Sequence, residues 1–228
     1  MTDSAVKILQ ESLETFREKS DVPGQLQTLY QLGKVYQERR QYNKALPYFR
    51  QAFDLLKDGG KLKDRTLALA NLGCVFWDMA QLKKALNHFA EALKLAEETG
   101  DKTGRRILLT IIGITHWRKG EWERAMELFE KASRAPAGPT DDGNFSGLQE
   151  AMERGIATLK NRIRIAKEGN DPQRILLPAF SMVPLLFFTG KKNEIPGLME
   201  EISPLAQKLQ KQNILDTIPK LQKLIELD

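Results

Sequence analysis

The chain has little of what reaction chemistry usually needs. It holds one cysteine, Cys74, in 228 residues, which excludes an internal disulfide framework and a cysteine-rich zinc site. Its only histidines, His88 and His116, have no second histidine or carboxylate at metal-ligand spacing. Core packing is therefore the role expected of both. No run of five or more lysines and arginines occurs. The glycine- and lysine-containing stretches "FTGKK" and "GDKTG" lack the phosphate-loop spacing and read as turns. Carboxylates fall on helix faces without an identifiable catalytic partner. No catalytic residue, cofactor or metal is expected, and the chain does not read as an enzyme.

Long apolar runs are missing too. The most apolar stretch, "ILLPAFSMVPLLFF" at 175–188, is shorter than the ~20 residues a bilayer requires and contains Pro178 and Pro184. A kinked helix buried between neighbours is expected there, and no membrane span. The opening "MTDSAVKILQ" has no secretory pattern, so a reducing, cytoplasmic setting is expected.

What is present is charge of both signs, finely mixed. The 35 basic and 30 acidic residues give a net charge of +5, and stretches such as "EWERAMELFEKASR" interleave them. That pattern suits solvated helix faces. Lysines and aromatics do not interleave as a nucleic-acid surface requires, so no specific nucleic-acid binding is expected.

A period of 40 residues organises the chain. Gly33, Gly73 and Gly113 fall in register, preceded by Leu32, Leu72 and Ile112. Twelve residues after each glycine stands alanine (Ala45, Ala85, Ala125), at sixteen phenylalanine (Phe49, Phe89, Phe129), and at nineteen alanine again (Ala52, Ala92, Ala132). Four residues before each glycine is a leucine (Leu29, Leu69, Leu109), and three after it a ring (Tyr36, Phe76, His116). Each unit reads as two helices. Leucine, glycine and ring share one face of the first, and alanine, phenylalanine and alanine share one face of the second. A glycine costs a helix about 1 kcal/mol relative to alanine. Its expected use is to lie opposite the small alanines, so that two antiparallel backbones approach closely and their larger neighbours interlock.

The three copies, "LYQLGKVYQERRQYNKALPYFRQA", "LANLGCVFWDMAQLKKALNHFAEA" and "LTIIGITHWRKGEWERAMELFEKA", resemble the tetratricopeptide repeat. The period exceeds that family's usual length of about 34 residues. The extra length is similar to the longer subclass found in Leu-Gly-Asn repeat scaffolds, kinesin light chains and bacterial peptide-sensing regulators. The resemblance implies an all-α solenoid of helical hairpins in a right-handed superhelix. One domain is expected over 1–228, with a partial repeat at 3–22 and clear repeats at 26–60, 66–101 and 106–134. A loop follows at 134–147, then degenerate helical repeats at 148–210 and a capping helix at 213–227. In the degenerate part, Gly155, Leu159 and Ile163 align with Ala85, Phe89 and Leu93 at an offset of 70.

By the same resemblance, the first helices line a concave groove that holds a peptide or helix of a partner protein. The groove positions are three before, one after and four after each glycine: Tyr30, Lys34 and Gln37; Ala70, Cys74 and Trp77; Thr110, Ile114 and Trp117. Asn71 lies beside them, and the offset of 70 places Phe187 with Trp77 and Trp117. An aromatic row facing solvent is costly unless it binds something. The alternative is that the loop at 134–147 or the C-terminal helices cover the row. Two functions are therefore weighed. One is a protein-interaction scaffold with an apolar, aromatic-lined groove. The other is a self-associating regulatory or assembly domain, possible as a homodimer, whose groove is filled by its own C-terminal helices or by a second copy.

Overall fold

Helix stops recur at twenty-residue intervals, and they set the architecture. Ser20, Arg40, Ala80, Gly100 and Gly120 have positive φ, and so do Asn170, Gly190 and Gln210 further on. At each of these positions the next amide reaches back five residues, as from Gln81 to the Phe76 carbonyl at 2.9 Å and from Glu121 to the His116 carbonyl at 3.0 Å. This left-handed closure satisfies carbonyls that a helix end would otherwise leave open. The chain reverses there and a new helix begins within two residues. Acidic caps mark several starts: Asp21 accepts from the Gly24 amide, Asp101 from Gly104, and Asp171 from Gln173 and Arg174.

The computed structural model describes residues 3–57, 59–134 and 145–226. Among these residues there are eleven α-helices, one short 3-10 turn and no strand. The fold is all-α and built from helical hairpins. By contacts the chain forms two compact units, Met1–Gly104 and Arg105–Asp228, where the sequence suggests one domain.

The first unit holds α1 (Asp3–Glu18), α2 (Val22–Glu38), α3 (Tyr42–Leu56), α4 (Leu62–Asp78) and α5 (Leu82–Glu98). Each helix packs on the next. Helix α1 packs on α2. Val6 and Leu13 on α1 share a core with Leu29, Leu32, Val35 and Ala52. A second cluster joins Ala45 and Phe49 to Leu72 and Val75.

The repeat glycines are placed by their neighbours. A Cβ built on Gly33 would lie 2.7 Å from Phe49 Cζ, one on Gly73 2.5 Å from Phe89 Cδ1, and one on Gly113 2.6 Å from Phe129 Cε1. These separations are far inside van der Waals contact, so only glycine fits. The expectation needs a correction in one respect: each glycine receives the phenylalanine ring of its own repeat rather than an alanine. The flanking alanines Ala45, Ala52, Ala85 and Ala92 are each 0% exposed and let that ring reach the facing helix.

The rings three residues after each glycine follow a second rule. Tyr36 stacks on Tyr48 and Phe76 on His88, with centroids 5.6 and 5.3 Å apart. In the third repeat Leu128 replaces the stacking partner, and the buried His116 instead bonds through Nδ1 to the Glu121 carboxylate. Hydrogen bonds from Lys119 and His116 hold that carboxyl below its usual range.

The second unit holds α6 (Lys102–Arg118), α7 (Trp122–Ser133), α8 (Ser146–Glu168), α9 (Pro172–Phe188), the 3-10 turn Lys192–Glu194, α10 (Ile195–Lys208) and α11 (Gln212–Glu226). Residues 135–144 of the expected loop lie outside the described residues; Phe145 is buried and Ser146 already begins α8. Helix α9 matches α6 at the offset of 70, and α8 matches α5. Two second-type helices, α7 and α8, therefore follow each other with no first-type helix described between them. Helix α11 packs on both α10 and α7. The apolar stretch of the sequence is α9, a single helix with Pro178 and Pro184 buried inside it. No helix among the described residues is long and apolar enough to cross a membrane.

Candidate groove surfaces in the two units

The groove positions sit on α2 and α4 in the first unit and on α6 and α9 in the second, and they differ sharply in exposure. Lys34 is exposed, while Tyr30 and Asn71 are half-buried. The Tyr30 hydroxyl is buried without a partner, and burial, with a contribution from Asp64, pushes its pKa up. Gln37 is buried and gives its amide to Asp78 at 2.6 Å, which ties the ends of α2 and α4 together.

The aromatic row does not face solvent, and this corrects the expectation drawn from periodicity. Trp77 and Trp117 are each 1% exposed and Phe187 is 6% exposed. Cys74, Thr110 and Ile114 are buried with them. The cause is visible for Trp117. Its ring centroid lies 4.7 Å from that of Phe180 on α9 and 6.2 Å from those of Trp122 and Phe129. Its Nε1 donates to the Phe180 carbonyl at 3.0 Å. A C-terminal helix thus covers the groove face of α6 within the second unit. Phe187 packs edge-on to Phe188 and carries the Lys192 ammonium 4.8 Å above its ring.

Part of the α6 face stays open. A cavity of about 300 Å³ is walled by Ile107 and Thr110 of α6, Phe145 before α8, Ser146, Gln149 and Met152 of α8 and Phe188 at the end of α9, with Arg106 at its edge. Of these residues, the groove periodicity had singled out only Thr110. Phe145, Met152 and Phe188 lie outside the three clear repeats, so the groove periodicity does not reach them. The one local signal was the basic and apolar start of α6, "RRI", where Arg106 and Ile107 stand together.

Among the described residues, no three His, Cys, Asp or Glu side chains are grouped to hold a metal ion. The cavity is mostly apolar, with Thr110, Ser146 and Gln149 as its neutral polar groups and one cation at its edge, a lining suited to holding a side chain.

A tetratricopeptide repeat family model matches residues 2–58 and 64–136, more than half of the chain. A model of anaphase-promoting complex subunit 5 matches residues 144–189. No curated protein matches the sequence. Among solved structures, aspartyl phosphate phosphatase F from Bacillus subtilis is similar at 17% identity and a TM-score of 0.53, covering 97% of this chain and 50% of that one. A Rap protein complexed with competence and sporulation factor is similar at 12% identity and a TM-score of 0.56, covering 91% of this chain and 59% of that one. BtubC (BKLC) from P. vanneervenii is similar at 12% identity and a TM-score of 0.52, covering 97% of this chain and 90% of that one. The chain thus spans 50% and 59% of the length of the first two. At these identities the likeness is one of fold.

Proposed function

The chain belongs to the tetratricopeptide repeat family, and from that premise we propose that it is a non-catalytic protein-interaction module. It holds a peptide or helix of another protein on the groove positions that its own helices leave accessible. In the first unit these are Tyr30, Lys34 and Asn71, and in the second the cavity beside Thr110. The buried groove residues Gln37, Cys74, Trp77, Ile114, Trp117 and Phe187 support the wall and do not meet the ligand directly.

The observation that carries this reading is the apolar cavity of about 300 Å³ at the groove face of α6. A concave, mostly apolar recess with few polar groups is the usual form of a binding site. The Rap neighbour is complexed with competence and sporulation factor, which supports a partner-binding role for this fold.

The test is selection from a phage-displayed random peptide library on the immobilised protein. Enriched peptides are expected to lose about tenfold or more in affinity with Lys34→Glu, Asn71→Arg or Ser146→Trp, each at an accessible position. Failure to enrich any peptide, or enriched peptides indifferent to all three substitutions, would overturn the proposal.

One observation favours a second reading. Helix α9 already occupies the α6 groove face through Trp117 and Phe180, as in a domain that fills its own groove and works by self-association. Sedimentation separates the two: a concentration-dependent dimer supports the second, and a monomer at every concentration removes it.

A further inference from the structure

Two of the polar side chains that line the second-unit cavity are already engaged among the described residues, and the third, Ser146, lies exposed. The Thr110 hydroxyl donates to the Arg106 carbonyl at 3.0 Å, and the Gln149 amide reaches Glu153 at 3.4 Å. What remains is an apolar surface from Ile107, Phe145, Met152 and Phe188. At about 300 Å³ the volume lies at the bottom of the range for ligand sites, enough for one or two side chains and too small for a nucleotide cofactor.

The charge at the edge has one sign. Arg106 is exposed, and its guanidinium makes no hydrogen bond or ion pair with any described residue. Nearby carboxylates on α8 are engaged: Glu150 faces Arg154 at 3.9 Å and Glu153 takes the Gln149 amide. A guanidinium beside an apolar recess complements a carboxylate adjoining an apolar side chain, because its planar fork of donors matches the two carboxylate oxygens.

Resting on the interaction reading above, we infer that this cavity takes a leucine- or phenylalanine-sized side chain of an acidic peptide, with the neighbouring carboxylate held by Arg106. The apolar side chain supplies the affinity and Arg106 the choice of sequence. The pairing is exposed, so its share weakens as salt rises.

The probes are fluorescein-labelled peptides in a glycine-serine frame with a central leucine or phenylalanine between two aspartates. The controls carry lysines in place of the aspartates, or alanine in place of the central residue. Read by anisotropy at low salt, the aspartate peptides are expected to bind about tenfold or more tightly than either control. Arg106→Glu is expected to reverse the charge preference, and Ser146→Trp, at an exposed cavity residue, to weaken every probe by about tenfold. Both variants should melt as the wild type does, since each replaces an exposed side chain. Aspartate peptides bound equally by wild type, Arg106→Glu and Ser146→Trp would overturn the inference while leaving the interaction reading to its library test. Absence of binding by every probe would overturn it too, as would Arg106-dependent binding of laurate with no binding of the peptides.

Discussion

The indole Nε1 of Trp117 donates to the Phe180 carbonyl across 3.0 Å, and that carbonyl is available because Pro184 stands four residues further along α9. In an unbroken helix the amide of residue 184 would take this oxygen, but proline has no amide hydrogen. Phe180 is 1% exposed, so water does not replace the missing donor. A proline that would ordinarily weaken a helix is thus used to join α9 to α6.

Trp117→Phe removes the donor and leaves a buried carbonyl unpaired, with an expected loss of about 1–3 kcal/mol in urea unfolding. In a Pro184→Ala background the alanine amide can take over the Phe180 oxygen, so the loss should shrink. The double-mutant cycle is expected to show coupling of about 1 kcal/mol. Strict additivity would mean that the proline and the indole are unrelated.

Gly73→Ala drives a Cβ into the Phe89 ring. Phe89 is 0% exposed and has no room to retreat. Overpacking of this kind costs about 1–3 kcal/mol. In a Phe89→Leu background the obstacle is smaller, and the helix preference for alanine over glycine, about 1 kcal/mol, can show. Gly73→Ala should therefore change from destabilising to neutral or stabilising. A cost that persists unchanged in the leucine background would place the constraint elsewhere.

These two cases separate what the sequence discloses from what it hides. The register of Gly33, Gly73 and Gly113 with Phe49, Phe89 and Phe129 identifies the helical hairpins because both residue sets repeat on one helical face. Periodicity assigns faces and does not say which atom meets which, so it pairs the glycine with an alanine instead of the ring. The burial of Trp117 depends on Phe180, 63 residues away. Nothing within the third repeat encodes that contact. The cavity is hidden for the same reason: its walls come from α6, α8 and α9, which are far apart in the sequence.

Ala80 and Gly120 occupy the same left-handed turn, with φ of 58° and 82°. A non-glycine residue there carries about 1–2 kcal/mol of backbone strain, partly offset by the greater freedom glycine gives the unfolded chain. Ala80→Gly is expected to stabilise by up to about 1 kcal/mol. Gly120→Ala is expected to destabilise by a similar amount, and the space around Gly120 is open, so packing does not enter. Thermal melts of the two variants should move in opposite directions. Movement in the same direction would mean that the turn conformation does not set their stability.

His88 makes the stability of the first unit depend on pH. It is half-buried and stacked flat on Phe76 at 5.3 Å, and its Nδ1 is buried without a partner. Burial lowers its pKa below the ordinary 6.5 and outweighs the opposing pull of Glu91, while the positive charge of Arg50 acts in the same direction as burial. A depressed histidine pKa means that, below pH 6.5, the unfolded chain takes up this proton more readily than the folded one. The contribution of His88 is therefore fully present above pH 6.5 and is lost as pH falls through that value toward the folded pKa. Carboxylates such as Glu121 add their own acid sensitivity at lower pH, so a difference between variants is the informative quantity. His88→Phe keeps a flat ring on Phe76 and cannot be protonated. Urea midpoints measured between about pH 7.5 and 5.5 should fall more steeply for the wild type than for His88→Phe. Parallel slopes would show that the His88 ring is protonated as easily in the folded protein as in the unfolded chain.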